Sequence, residues 1–204
     1  MIFRLFLLIV LSYLIGSIPT AYLAGRLKSG FDIRRSGTGN MGASNALLVI
    51  GPAVAFTVYL VDLFKGLVPV LIARSFAGSD VAMSLCGIAA VLGHDFPVFI
   101  GFKGGKGVAT TTGAMFGINA VIMWLLVASW LIFLLITNDF ILSSLLCMFY
   151  IPFLMVAFGL SWTFVACGSI FFLIGLFTHR QDVVRIARGE GSKAFDSVRK
   201  YLSR

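Results

Sequence analysis

The sequence predicts an all-α, polytopic membrane protein with about seven transmembrane helices, and three observations carry that expectation. Hydrophobic residues make up 59% of the 204 positions and charged residues 12%, against about 45–50% and about 25% in soluble globular chains. Mean hydropathy over the whole chain is +1.02. The few charges collect in short segments and leave long apolar runs between them. Soluble enzyme folds, collagen-like chains, disordered tails and disulfide scaffolds are all excluded by this composition. Cys86, Cys147 and Cys167 each lie in an apolar run without a second ligand at metal spacing, and read as packing residues.

The apolar segments are 3–24, 46–77, 81–92, 108–118, 120–136, 140–158 and 162–177, seven candidate spans. Arg4 ahead of an apolar run and small residues at 21–24 also suit a cleavable signal peptide, but the run is long and similar runs follow throughout. The formal charge of +8 is first a topology signal. Residues 26–35 hold four Lys and Arg, 94–107 hold Lys103 and Lys106, and the tail over 179–204 holds seven. The short connections at 77–80, 119 and 159–161 hold none. The positive-inside rule then sets the N-terminus outside and the C-terminus in the cytoplasm, and seven crossings satisfy the parity of every basic segment.

Two segments are awkward in length. Residues 46–77 would make about 48 Å of helix against a hydrocarbon core of roughly 30 Å, with Asp62, Lys65, Gly66 and Pro69 near the middle, so a kinked or broken helix is expected there. Residues 108–118 would cover only about 17 Å, which implies a short span or a preceding loop that dips to membrane depth. No repeat or low-complexity segment divides the chain, which reads as one integral-membrane domain over 1–204 with its basic tail.

Three polar segments carry the candidate chemistry. In the first, Gly37, Gly39 and Gly42 alternate with Thr38, Asn40, Ser44 and Asn45. Such a loop turns tightly and exposes N–H groups suited to an anion or a polyol, with Ser44 or Asn45 available to cap the next helix; a solvated turn is the plainer alternative. In the second, Lys103 precedes Gly104, Gly105, Lys106 and Gly107, and a helix opens at Val108. Backbone donors, a helix N-terminus and an ammonium come together there as a phosphate cradle. Gly107 after Lys106 departs from the Walker A pattern, and a cytoplasmic loop with turn glycines is the alternative. In the third, His179, Asp182 and Arg185 recur at helical spacing next to Arg180, suited either to a site on one helix face or to lipid headgroups. Asp62 and Lys65, three apart inside a span, suit a structural ion pair or a substrate contact. No metal site, cofactor or nucleic-acid partner is expected.

At these segments the chain resembles the PlsY family, membrane-integral acyltransferases that move a fatty acyl group from acyl phosphate to glycerol 3-phosphate. The likeness rests on residues 13–18, the 37–45 loop, Asp62-Leu-Phe-Lys-Gly66, the Gly93-His-Asp-Phe-Pro-Val-Phe run, and Phe102-Lys-Gly-Gly-Lys-Gly-Val-Ala-Thr110. The resemblance implies catalytic roles for Thr38, Lys106 and His179. It implies substrate binding by Gly37, Gly39, Asn40, Ser44, Asn45, Lys103, Gly104, Gly105, Gly107, Thr110, Arg180, Asp182 and Arg185. It further implies acyl phosphate, glycerol 3-phosphate and membrane lipids as partners, lysophosphatidate as product, and a bacterial inner-membrane enzyme with its active site facing the cytoplasm. The chain departs from the family at Leu48, where an Arg is usual, at Asp182, where an Asn is usual, and at Gly191, where a Glu is usual. A transporter of a phosphorylated metabolite, or a family member that binds lipid without turnover, are the rival expectations. Basic loops on one side only and the lack of an inverted repeat favour the enzyme.

Overall fold

A computed structural model describes residues 2–191 of the chain. The expected basic tail is therefore seen only as far as Gly191, and Lys193, Arg199, Lys200 and Arg204 lie outside the described residues. The chain divides into two compact units, Met1–Asn119 and Ala120–Arg204.

The first unit contains α1 (Ile2–Gly16), α2 (Thr20–Ser29), α3 (Ala43–Val49), α4 (Pro52–Ala77), α5 (Asp80–Asp95) and α6 (Val108–Ile118), with short 3-10 turns at Ile33–Arg35 and Val98–Ile100. The first apolar segment is thus broken rather than continuous. Pro19 cannot donate a backbone bond to the turn before it, and the helix restarts at Thr20. The second long segment is also broken, but not where its charges suggested. The break falls at Gly51, whose φ of 123° suits only glycine, and Pro52 then opens α4. From there α4 runs 26 residues without interruption and accommodates Pro69 in its interior.

α4 packs on α5 and α6, and α1 on α5. Glycine allows the close approaches. A methyl at Gly66 of α4 would overlap the Thr110 carbonyl of α6, and one at Gly113 of α6 would overlap the Leu63 carbonyl of α4. A second core, around Ala21, Ile33, Met41, Ala46, Ala55 and Val58, ties α2 and α3 to the start of α4.

The second unit is built from α7 (Ala120–Thr137), α8 (Phe140–Ala157), α9 (Trp162–Thr178) and α10 (Arg180–Ala187). α8 packs between α7 and α9, and α10 lies against α9 and α8. Asp139 caps α8 by accepting from the Ile141 and Leu142 amides at 2.8 and 3.0 Å. Cys86, Cys147 and Cys167 are buried and unlinked, as packing residues would be.

Among the described residues, five helical segments are long and apolar enough to cross a membrane, and the α9–α10 pair, bent by 68°, makes up to six when counted as one broken span. All seven apolar segments of the sequence are helical, but α6 has only 11 residues, about 17 Å, and falls short of a bilayer crossing on its own. Exposed apolar side chains line the long helices, from Phe3 and Phe6 in α1 to Leu135 and Ile136 in α7 and Leu173 in α9, as lipid contact requires. The chain is a multi-pass, all-helical membrane protein.

Candidate active site

The 32–45 loop is organised by a single buried side chain. Asn45 lies inside α3 rather than capping it, since Gly42 is the N-cap and no side chain bonds there. Its Nδ2 donates to the carbonyls of Ile33, Ser36 and Asn40 at 3.1, 3.1 and 2.9 Å, and its Oδ1 accepts from the Thr38 amide at 2.8 Å. The amide is thereby committed to the loop itself. Gly37, with φ of 60°, sits against Asn45, where a Cβ would overlap Oδ1. Thr38, Gly39 and Ser44 are exposed on the loop, and the Thr38 hydroxyl accepts from the Asn40 amide at 3.4 Å. Leu48 is also exposed, at 64%.

At the loop's start, Arg34 forks onto Asp32, with Nη2 2.8 Å from Oδ2 and Nε 3.0 Å from Oδ1. The guanidinium bond from Arg34 holds the Asp32 carboxyl down to about 2. The remaining Arg34 nitrogen, Nη1, donates to the Ile100 carbonyl at 3.2 Å, which fastens the first loop to the segment leading into the second. Between them lies a cavity of about 420 Å³ lined by Asp32, Arg34, Arg35, Gly39, Lys103 and Gly104. The structure thus brings Gly39, Lys103 and Gly104 together. It adds Arg34 and Arg35, which the sequence offered only as topology charges.

The glycine-rich loop is laid along the end of α5. The Gly104 amide donates to the Asp95 carbonyl and the Gly105 amide to the His94 carbonyl, each at 3.1 Å, so carbonyls that a helix end leaves over are taken up by the loop. Gly107 is the N-cap of α6 with φ of 71°, a conformation that strains any residue with a Cβ. Lys106, half-buried, immediately precedes that helix start. Thr110, by contrast, is fully buried against Gly66 and belongs to the α4–α6 packing. Asp95, 3% exposed, has both carboxylate oxygens buried with no hydrogen-bond partner among the described residues. A Cβ at Gly107 would stand 2.9 Å from one of them. Sequence reading took in His94 and Asp95 only as part of the Gly93-His-Asp-Phe-Pro-Val-Phe run and missed their place beneath the loop.

In the second unit His179 is 3% exposed and joins α9 to α10. Its Nδ1 lies 2.9 Å from the Gly175 carbonyl, which only accepts, so Nδ1 is the donor in that contact. Asp182 is half-buried in the first turn of α10, while Arg180 and Arg185 are exposed. Arg180 folds back, donating to the Phe177 carbonyl at 2.9 Å with its guanidinium 4.6 Å from the Phe177 ring centre.

Comparison with known proteins places this arrangement. Residues 6–189 match the family model described as glycerol-3-phosphate acyltransferase. The glycerol-3-phosphate acyltransferase of Syntrophomonas wolfei is 37% identical over 94% of this chain and 97% of its own length. Glycerol-3-phosphate acyltransferase 2 of Thermotoga maritima is 37% identical over 90% and 93%. Among solved structures, PlsY (YgiH), an integral membrane glycerol 3-phosphate acyltransferase in its glycerol 3-phosphate form, superposes with a TM-score of 0.88 at 31% identity, covering 93% of this chain and 95% of that one. Its lysophosphatidic acid form gives 0.86 at 29% identity, with the same coverage. A match over nearly the whole chain, in sequence and in fold, shows that this protein belongs to the glycerol-3-phosphate acyltransferase family and is a membrane-integral acyltransferase of phospholipid synthesis.

Proposed function

We propose that this enzyme transfers a fatty acyl group from acyl phosphate to the 1-hydroxyl of glycerol 3-phosphate, giving lysophosphatidate and inorganic phosphate. The observation that carries the reading is the loop of Gly104, Gly105, Lys106 and Gly107 at the start of α6, where an ammonium and a helix N-terminus offer charge and N–H donors to a phosphate. Relatives whose structures are described as glycerol 3-phosphate and lysophosphatidic acid forms support the same substrate and product.

The acceptor oxygen attacks the acyl carbon, the C–O bond to phosphate breaks, and phosphate leaves with the electron pair. Acyl phosphate is a mixed anhydride with a good leaving group, so no covalent enzyme intermediate is required. The protein's work is to position two anions and to stabilise charge as it develops. In this reading Lys106 and the N–H groups that open α6 hold phosphate, and the 37–45 loop with Thr38 orients the acceptor. The hydroxyl proton passes to a phosphate oxygen of the substrate itself, which balances the step. We place the enzyme in the bacterial inner membrane with its N-terminus outside and these loops facing the cytoplasm, on the strength of the basic segments.

The test supplies purified protein with palmitoyl phosphate and labelled glycerol 3-phosphate and follows labelled lysophosphatidate and released phosphate. Equimolar formation of both is expected. Uptake of glycerol 3-phosphate into sealed vesicles without product would overturn the reading. Cysteines placed at Thr38 and Ser79, in a background freed of native cysteine, test the orientation. An impermeant thiol reagent should reach the first only from the cytoplasmic side and the second only from outside.

A further inference from the structure

Behind the glycine-rich loop lies a buried ionisable cluster that acyl transfer as described does not use. Asp62 and Lys65 stand one turn apart on α4 and His94 on the last turn of α5, with side chains only 2%, 4% and 7% exposed. Lys65 Nζ donates to Asp62 Oδ1 at 2.7 Å and also to the Ile18 carbonyl at the break between α1 and α2. The same Asp62 oxygen is 3.7 Å from His94 Nδ1, so the carboxylate stands behind the facing edge of the ring. The other edge meets the loop. A methyl group at Gly105 would overlap Nε2 and stand 2.9 and 3.0 Å from the two neighbouring ring carbons. Buried ion pairs contribute little net stability because both charges must be desolvated, so the interest of this pair lies in what it places beside His94.

We propose that His94 is a positioning residue for phosphate binding. Backed by the Asp62–Lys65 pair, its imidazole is the floor on which Gly105 rests, and it sets the height of Lys106 and of the N–H groups that open α6 toward the substrate phosphate. The proposal rests on the acyltransferase reading of the same loop. It gives His94 no contact with substrate. It also explains why position 105 holds glycine although no positive φ demands it there.

The experiment uses two replacements that reach different distances. In His94→Asn the terminal amide reaches only as far as Nδ1, so the Asp62 contact persists and the floor is removed. In His94→Gln a polar atom extends to the place of Nε2, so the floor is restored. Kinetics with palmitoyl phosphate, and the rise in melting temperature caused by glycerol 3-phosphate alone, are measured for both and for their combinations with Gly105→Ala. We expect His94→Asn to raise KM for glycerol 3-phosphate about tenfold with kcat changed by about threefold or less, and His94→Gln to recover most of that loss. Gly105→Ala alone should raise KM by about tenfold or more, and adding His94→Asn should lower it again, because the methyl then occupies the vacated space. Independent, multiplicative losses in the double variant, or a loss of kcat at unchanged KM, would overturn the proposal. If wild-type protein forms no lysophosphatidate, the acyl-transfer reading fails instead. The ligand-induced melting shift then still reports whether His94 controls the loop.

Discussion

The two polar loops of the first unit are alike in composition and opposite in how they are held. The 32–45 loop is fixed from within by its own side chains, Asn45 through four hydrogen bonds and Arg34 through its fork onto Asp32. The 101–107 loop is fixed from beneath, by backbone bonds to the last carbonyls of α5 and by His94 and Asp95 packed under Gly105 and Gly107. One loop therefore depends on single polar side chains. The other depends on having no side chain where it touches its support, and leaves Lys106 as its cationic side chain at the helix start. Removing atoms should damage the first loop most, and adding atoms the second.

The largest expected effect sits on the second loop. Lys106→Ala should cut acyl transfer by about a thousandfold or more while the melting temperature in detergent stays within a few degrees, since in the proposed mechanism this ammonium compensates substrate phosphate. Turnover near wild type would take Lys106 out of the site. Next, Asn45→Leu should destabilise the protein by about 3 kcal/mol or more, because three carbonyls and an amide lose their partner at a buried position. Asp95→Asn under the other loop should cost less than about 1 kcal/mol or raise stability, since neither carboxylate oxygen has a hydrogen bond to lose. Equal melting shifts in the two variants would break the contrast between the loops.

Smaller effects concern the departures from the family. Asp182→Asn, at a half-buried position in the first turn of α10, should lower KM for glycerol 3-phosphate by about fivefold, whereas Leu48→Arg on an exposed face should change it by about twofold or less. Loss of activity in Asp182→Asn would show that the carboxylate has acquired a function of its own. The smallest effect is one of pH. The Asp32 carboxyl titrates at about 2 rather than 3.8, so the stabilisation from Arg34 is complete above about pH 4 and is lost as pH falls toward 2. Melting curves of Arg34→Gln and wild type should converge over that interval and run parallel at pH 5 to 8.

Much of the fold was legible because membrane spans announce themselves by composition. The breaks were less so. Gly51-Pro52 is a helix stop followed by a helix start, but the charges of Asp62 and Lys65 drew attention to the middle of the same segment, where an internal ion pair lets α4 continue. The loops that carry the site were legible as glycine patterns with polar residues between them. What each side chain does was not. Asn45 looked like a cap and serves as a tie, and Thr110, offered as part of a cradle, is fully buried with its backbone carbonyl against Gly66. His94 is eleven residues from Gly105 in the chain, and no periodicity links a helix end to a loop that folds back over it.

The bond from Lys65 to the Ile18 carbonyl carries a consequence for biogenesis. α4 enters the bilayer with an acid and a base near its centre, each unfavourable by about 3 kcal/mol at mid-membrane on insertion scales. Their mutual pairing within one turn offsets part of that cost. The rest is met at the interruption over 17–19, where the Ile18 carbonyl accepts from the Thr20 amide at 3.0 Å and offers its second lone pair to the Lys65 ammonium. The first span is synthesised before α4, so this break acts as a berth laid down ahead of the charged helix that later moors there.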